Sequence, residues 1–211
     1  MVKRFITNII QSRARKDADN QWIFASMLVG SIASLVASFV LSVEAVELAR
    51  DPGADLACSI NVILNCATVG LHESAYLFGF PNSFLGLIAE PVVMTVAIAG
   101  LAGVTFPRLF MAVAQFFYTL GFIFALYLMG VSYFVIGALC PWCLLVTLTT
   151  TLVWFAITRY NIRENNLYLP ANIQSKLRGW IEKDYDKVAM ASLIVLVVAA
   201  IIVKYGESLF A

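Results

Sequence analysis

Five long apolar segments restrict this chain to a small set of folds. Each is close to the ~20 residues that a helix needs to cross the ~30 Å of hydrocarbon in a bilayer. They cover residues 22–43, 84–104, 109–133, 140–157 and 188–203. Hydrophobic residues also form 61% of the chain and charged residues only 13%, which is more apolar than one soluble core of 211 residues requires. The sequence therefore predicts an all-α integral membrane protein with five transmembrane helices.

Two features of these segments concern helix packing. The third and fourth segments are nearly continuous, and Gly130, Ser132 and Gly137 are the signs of a break between them. In the first segment, small residues recur at every fourth position, which allows another helix to approach closely. This ridge of small residues consists of Ser26, Gly30, Ser34, Ser38 and Ser42.

The distribution of basic residues predicts the orientation, because lysine and arginine are retained on the cytoplasmic side of membrane proteins. Most of the 14 basic residues precede the first segment or follow the second or fourth. These residues are Lys3, Arg4, Arg13, Arg15, Lys16, Arg108, Arg159, Arg163, Lys176, Arg178, Lys183 and Lys187. Arg50 and Lys204 are the exceptions. We therefore expect a cytoplasmic N-terminus and an extracytoplasmic first loop.

The same pattern predicts the organisation of the chain. It consists of a cytoplasmic segment, a four-helix core with a long external loop, a cytoplasmic connection, and a fifth helix with a short external tail. The corresponding ranges are 1–21, 22–158 with the loop at 44–81, 159–187 and 188–211. Because about twenty polar residues precede a first apolar run of about 22, we expect this run to be a retained helix and not a cleaved signal.

Four cysteines provide the chemistry. Cys58 and Cys66 lie in the first loop, and Cys140 and Cys143 form a Cys-Pro-Trp-Cys motif that opens the fourth segment. A dithiol needs its second sulfur close by to resolve a mixed disulfide, and a thiol at a helix start is favoured as a thiolate by unsatisfied N–H groups. In the predicted orientation all four face the extracytoplasmic side, where disulfides persist. The pattern predicts a thiol redox site.

Other interpretations of these residues are weaker. Four thiolates suit zinc, but the spacing of Cys58 and Cys66 is wide for a zinc knuckle, so we expect no metal. A purely structural disulfide between them would leave the Cys-x-x-Cys motif unexplained. A transporter or channel would place ionisable residues along several segments, whereas only Glu90 lies clearly inside one. Glu90 either donates protons or satisfies the backbone that Pro91 leaves unpaired.

Three motifs resemble those of the vitamin K epoxide reductase family, particularly its bacterial members. They are CSINVILNC at 58–66, FGFPNSFLG at 78–86 and GALCPWC at 137–143. The similarity covers about residues 22–158. It implies a four-helix transmembrane bundle around a quinone, either menaquinone or ubiquinone, with a fifth helix outside it and a short amphipathic helix of the first loop as a lid. The apolar side of that lid would comprise Val69, Leu71, Tyr76, Leu77 and Phe78.

The resemblance also implies roles for individual residues. Cys58 would exchange with a thioredoxin-like partner, Cys66 would pass electrons to Cys140, and Cys143 would reduce the quinone. Asn82 would form a hydrogen bond with a quinone oxygen. Some bacterial members carry a fused thioredoxin-like domain after the fifth helix. We expect the partner here to be a separate extracytoplasmic chain. The other quinone-coupled, disulfide-forming membrane protein has its Cys-x-x-Cys first, which is the reverse of the order here.

Two positions depart from the family pattern. The family commonly has a serine six residues after the second loop cysteine, where this chain has His72, with Ser74 two residues further on. Either side chain could contact the quinone, and His72 could also relay a proton near neutral pH. Thr147 stands where the animal enzymes carry a tyrosine, so we expect quinone reduction and not vitamin K epoxide reduction.

Together these observations predict a membrane thiol:quinone oxidoreductase in a bacterial plasma membrane. It would reoxidise an extracytoplasmic thioredoxin-like protein and so support disulfide formation in exported proteins. Lipid, quinone and that protein would be its partners, with no nucleic acid. The alternative is a non-enzymatic tetraspan membrane protein stapled by structural disulfides.

Overall fold

The protein is described by a computed structural model that covers the backbone of residues 2–210 and the side chains of residues 17–206. The long helices are α1 (Val2–Arg50), α3 (Ser83–Leu101), α4 (Arg108–Val131), α5 (Pro141–Arg163) and α7 (Tyr185–Phe210). Two shorter helices are α2 (Cys66–Gly70) and α6 (Ala171–Glu182), and Glu73–Tyr76 forms a 3₁₀ turn. This architecture confirms the predicted all-α fold.

Among the residues that the structure describes, five helices are long and apolar enough to cross a membrane. The spans are Asp17–Arg50, Ser83–Leu101, Arg108–Ile136, Pro141–Arg163 and Tyr185–Gly206. The first and last extend beyond the predicted apolar segments, whose limits are charged residues such as Glu44 and Lys204. A charge ends a hydropathy segment but does not end a helix, because Glu, Ala, Leu, Lys and Arg are all good helix formers.

Helix α1 is central in the bundle, with α3 and α5 packed against it and α4 packed against α5. A Cβ atom built on Gly86 of α3 would lie 2.1 Å from Ser38 Oγ, and one on Gly30 would lie 2.7 Å from Val153 Cγ2 of α5. Ser42 Oγ also donates to Ser83 Oγ at 2.9 Å. The ridge of small residues therefore gives α1 its close contacts with two neighbouring helices.

The break between the third and fourth spans lies where glycine permits an unusual backbone conformation. Ser132–Ile136 forms a π-helical turn that continues α4, and Gly137 follows with a φ of 74°. This left-handed conformation is readily adopted by glycine, which lacks a Cβ atom. Ser132 Oγ donates to the Ala138 carbonyl at 2.5 Å and fixes the turn. The chain then enters α5 at the Cys-Pro-Trp-Cys motif.

The opposite end of the bundle carries a buried ionic cluster. The Arg159 side chain is only 6% exposed and contacts Asp19 of α1 at 2.9 Å and Asp186 of α7 at 2.7 Å. It also lies 2.9 Å from Asp184. The cluster joins α1, α5 and α7 at this end. The predicted orientation also depends on the five basic residues from Lys3 to Lys16. Their side chains lie outside the described residues.

Candidate functional site

All four cysteines meet at the end of the bundle that is remote from the Arg159 cluster. Cys58 and Cys66 form a disulfide with a Cα–Cα distance of 5.6 Å. Cys140 and Cys143 are free thiols. Cys66 Sγ lies 3.3 Å from Cys140 Sγ, although the two residues are 74 positions apart in the chain. An oxidised pair and a reduced pair are thus in direct sulfur contact.

Backbone pairing creates this contact. Leu64 and Leu139 form an isolated parallel bridge, in which Asn65 N–H donates to the Leu139 carbonyl at 2.9 Å. Leu139 N–H donates in turn to the Ile63 carbonyl at 2.7 Å. Leu139 immediately precedes Cys140, and Leu64 lies two residues before Cys66. The Asn65 side chain also caps α2 by accepting from Thr68 N–H at 2.9 Å, so α2 begins at Cys66.

Cys140 occupies the cap position of α5. Its sulfur accepts a hydrogen bond from Cys143 N–H at 3.4 Å, and Pro141 occupies the first turn, where no N–H partner is needed. An N–H group and the helix dipole directed at a sulfur stabilise a thiolate there. Cys140 is 2% exposed, whereas Cys143 is partly buried. Cys140 therefore has the environment of a good leaving group in thiol exchange.

A large apolar cavity begins at these cysteines and extends into the bundle. Its volume is about 570 Å³, and residues of α1, α3, α4 and α5 line it. Cys66, Cys140 and Cys143 lie on its wall, together with Val69 and Tyr76 of the predicted lid. The other lid residues, Leu71, Leu77 and Phe78, are instead about half exposed at 50%, 48% and 56%.

Ser74 and Asn82 supply polar atoms to the cavity wall near the lid. Asn82 Nδ2 donates to the Ser74 carbonyl at 2.7 Å, whereas Asn82 Oδ1 is buried without a partner among the described residues. His72 lies behind Ser74: its Nδ1 accepts from Ser74 N–H at 3.2 Å and is 2.9 Å from Ser74 Oγ. Ser74 thus lines the cavity, while His72 caps the 3₁₀ turn that presents it.

Glu90 lies deeper on the same wall and is only 5% exposed. Ser34 Oγ of α1 donates to Glu90 Oε1 at 2.9 Å, and Glu90 Oε2 has no partner among the described residues. The carboxyl group therefore bonds to the neighbouring helix, and no bond joins it to the backbone near Pro91. Thr147 also lines the cavity, and its hydroxyl donates to the Cys143 carbonyl at 2.9 Å.

The structure adds Glu44 to the site, a residue that the sequence analysis did not select. Helix α1 continues to Arg50, and this extension brings Glu44 Oε1 to 3.0 Å from Cys58 Sγ. Glu44 Oε2 is buried and has no hydrogen-bond partner among the described residues. The signal in the sequence is the run from Glu44 to Arg50, whose Glu, Ala, Leu and Arg residues are good helix formers and favour a helix that continues past Val43.

Ligand atoms of Glu44, Cys58 and Cys66 lie within 4.8 Å of one another, which is close enough to hold a metal ion. The two sulfurs are joined in a disulfide, however, and zinc binds the thiolate form. In this redox state the three residues therefore fit thiol exchange better than metal binding.

Comparisons with known proteins agree with the geometry of the site. The model of the vitamin K epoxide reductase family matches residues 25–158, which include all four cysteines and most of the cavity wall. No curated protein matches the sequence. Because the match covers well over half of the chain and holds two cysteine pairs in sulfur contact, this protein is a multi-pass membrane member of the vitamin K epoxide reductase family, a thiol-based oxidoreductase.

Proposed function

We propose that this protein is a thiol:quinone oxidoreductase that oxidises a thioredoxin-like protein outside the cytoplasm and so drives disulfide formation in exported proteins. The observation that carries the proposal is the 3.3 Å contact between Cys66 Sγ and Cys140 Sγ. Sulfurs at that distance can exchange a disulfide bond without a large movement of the chain.

The relay has two halves with different surroundings. Cys58 itself is only 6% exposed, but Ile60 and Val62 of the adjoining loop are 68% and 86% exposed. A soluble partner would therefore dock on this loop and reach Cys58 by displacing part of it. Cys143 lies on the cavity wall. Electrons would enter at Cys58, pass from Cys66 to Cys140, and leave from Cys143.

The cavity wall fits a quinone. A volume of about 570 Å³ with a mostly apolar lining suits a ring and part of an isoprenoid tail. Ser74 Oγ–H and the second N–H of Asn82 would donate to the ring oxygens. The unpartnered Asn82 Oδ1 would accept from a hydroxyl of the reduced ring. A quinone bound there would supply an acceptor for two electrons and two protons. The proposal thus includes a quinone, either menaquinone or ubiquinone, as the electron acceptor and a thioredoxin-like protein as the electron donor.

The proposed orientation places the cysteines outside the cytoplasm. It rests on the basic residues of the opposite end, where Arg108 lies 3.8 Å over the Tyr168 ring and Arg159 joins three helices. In intact cells, we expect a membrane-impermeant maleimide to label Cys58 or Cys66 after reduction. Labelling that requires a permeabilised membrane would reverse the orientation.

The activity can be tested with purified protein in lipid nanodiscs. Dithiothreitol would serve as the electron donor and a short-chain naphthoquinone or benzoquinone as the acceptor, with quinone absorbance as the measurement. We expect catalysed consumption of one quinone class above the rate without protein, and no consumption with Cys143→Ser. A disulfide-stapled scaffold would consume neither quinone faster than the blank.

A further inference from the structure

A carboxyl group touches the sulfur at which electrons would enter the relay. Glu44 Oε1 lies 3.0 Å from Cys58 Sγ, and its other oxygen is buried without a partner among the described residues. A disulfide sulfur carries no proton, so a hydrogen bond across this gap needs the proton on Glu44. Once Cys58 is a thiol, the same gap allows the proton to lie on sulfur instead.

We propose that Glu44 is a catalytic residue of this relay, acting as the general base and acid for Cys58. This inference rests on the proposed thiol exchange, but not on the identity of the electron acceptor. Its physical reason is that a thiol must lose its proton to attack a disulfide and must regain it after leaving one. Glu44 is in direct contact with the atom that undergoes both changes.

The proton moves in a closed cycle. In the step that forms the observed disulfide, Cys58 attacks Cys66 within a Cys66–Cys140 disulfide. The bond between the sulfurs of Cys58 and Cys66 forms, the bond between Cys66 and Cys140 breaks with its electron pair on Cys140, and the Cys58 proton passes to Glu44. The α5 cap stabilises the departing Cys140 thiolate.

The second half of the cycle returns the proton. A partner thiolate first attacks Cys58 and forms a mixed disulfide with it, while the Cys58–Cys66 bond breaks with its electron pair on Cys66. The partner's second thiolate then bonds to the partner's first sulfur, and the electron pair of the broken bond leaves with Cys58. Glu44 protonates that thiolate, so no buried carboxylate faces a buried thiolate at 3.0 Å.

Glu44 is distinguished from the neighbouring acid by its position. Glu47 lies on the same helix, but it is exposed and faces the outer groove with Arg50. The titratable groups that interact with Glu44 come from its own helix, from the first loop and from the start of α5. They are Glu47, Cys58, Cys66, Cys140 and Cys143. Glu47 is therefore the matched control.

The test measures the reactivity of the Cys58 thiol in the full-length protein. A chain in which the other three cysteines are serine would react with dithiodipyridine, and the rate would be followed by absorbance from pH 5 to pH 10. We expect Glu44→Gln to slow the reaction about tenfold or more near pH 6, where a base is needed. Above the ordinary cysteine pKa of about 8.5 the two rates should converge, because the thiolate forms without help.

Glu47→Gln should keep the fast reaction near pH 6, because Glu47 makes no contact with Cys58, although loss of its charge beside Glu44 can shift the profile along the pH axis. Glu44→Asp should recover part of the rate near pH 6. An equal loss at every pH would show a purely structural role, and an unchanged profile in Glu44→Gln would also overturn the proposal. If the triple-serine chain does not fold, reduction of the Cys58–Cys66 disulfide by dithiothreitol in the chain with all four cysteines tests the acid role of Glu44. At a fixed pH, Glu44→Gln should slow this reduction and Glu47→Gln should not, whereas equal rates in all three chains would overturn the proposal. Neither assay contains a quinone. The role of Glu44 can therefore be confirmed or overturned whether or not the protein reduces a quinone.

Discussion

Cys66 is the residue at which the two cysteine pairs meet, and its contact with Cys140 predicts what happens when the relay is interrupted. In Cys143→Ser, the Cys140 thiolate should attack Cys66 across the 3.3 Å gap and release Cys58. The product should be enriched because the Cys143 thiol that would expel Cys66 from Cys140 is missing, which leaves only Cys58 to reverse the step. We expect peptides joined through Cys66 and Cys140 in non-reduced samples, measured by mass spectrometry.

The matched control is the chain with serine at both Cys140 and Cys143, which should keep the Cys58–Cys66 disulfide. The companion variant, Cys66→Ser, should accumulate a mixed disulfide between Cys58 and the partner, because nothing in the loop can expel the partner. A partner found on Cys140 would show that electrons enter by another route.

Ser74 and His72 differ in their relation to the cavity, and this difference predicts different kinetics. Ser74 lines the cavity, so Ser74→Ala should raise the KM for the quinone by roughly 2- to 10-fold, the equivalent of one hydrogen bond. His72→Asn should stay near the wild-type value, because asparagine can also accept from Ser74 N–H at a cap position. Steady-state kinetics would measure both. The reverse result would assign the quinone contact to His72.

At the scale of elements, the close packing of α1 and α3 requires a residue without a side chain at Gly86 of α3. A Cβ atom on Gly86 would lie 2.8 Å from Ser38 Cβ, an atom that cannot rotate away. Gly86→Ala should therefore lower the thermal unfolding midpoint in nanodiscs, although alanine normally favours a helix by roughly 0.5–1 kcal/mol over glycine. Gly130→Ala, which meets nothing within 4 Å, is the control and should be neutral or stabilising.

Exchanging the small residue across the interface makes this test sharper. Ser38→Gly combined with Gly86→Ala moves the Cβ atom from α1 to α3 and should recover much of the lost midpoint. No recovery would mean that the loss arises elsewhere than at this contact.

The elements also show what the sequence can and cannot reveal. Hydropathy predicts five membrane helices because a span must be apolar over its whole length. It does not predict that α1 continues to Arg50, because a helix beyond the hydrocarbon needs only good helix formers. For this reason Cys58 was an evident candidate, whereas its neighbour Glu44 was not. The sequence also does not predict that Ser74 lines the cavity and His72 does not. That difference depends on the 3₁₀ turn at 73–76, and four residues are too few to show a periodic pattern.

At the scale of the whole molecule, the Arg159 cluster fixes the end opposite to the cysteines. Arg159→Met would leave Asp186 without its buried cation, whereas Asp19 would keep its ion pair with Arg163. We expect a loss of roughly 3–5 kcal/mol in the free energy of unfolding. Arg178→Met removes an exposed pair with Glu182, whose side chains are 57% and 69% exposed. That control should cost less than about 1 kcal/mol.

Acid should weaken the same cluster. The hydrogen bond from Lys187 and the charge of Arg159 hold the pKa of Asp184 below its ordinary value of 3.8. A lowered carboxyl pKa contributes stability that is complete above the ordinary value and is lost as the pH falls through the lowered one. The difference in thermal unfolding midpoint between wild type and Asp184→Asn should therefore stay constant between pH 5 and pH 8, and shrink only as the pH falls below the ordinary value of 3.8. A midpoint difference between wild type and Asp184→Asn that shrinks already between pH 7 and pH 5 would contradict this assignment.

The bridge between Leu64 and Leu139 has a consequence for how this protein can vary. Main-chain atoms alone align the loop with the start of α5, and every amino acid except proline offers the same N–H and carbonyl groups. The half-buried side chains at positions 63 and 64 can thus vary without changing the distance between the two sulfur pairs, whereas Leu139 is fully buried and must stay apolar. Proline at position 65 or 139 is the exception, since it would remove one of the two N–H donors of the bridge and separate the two cysteine pairs.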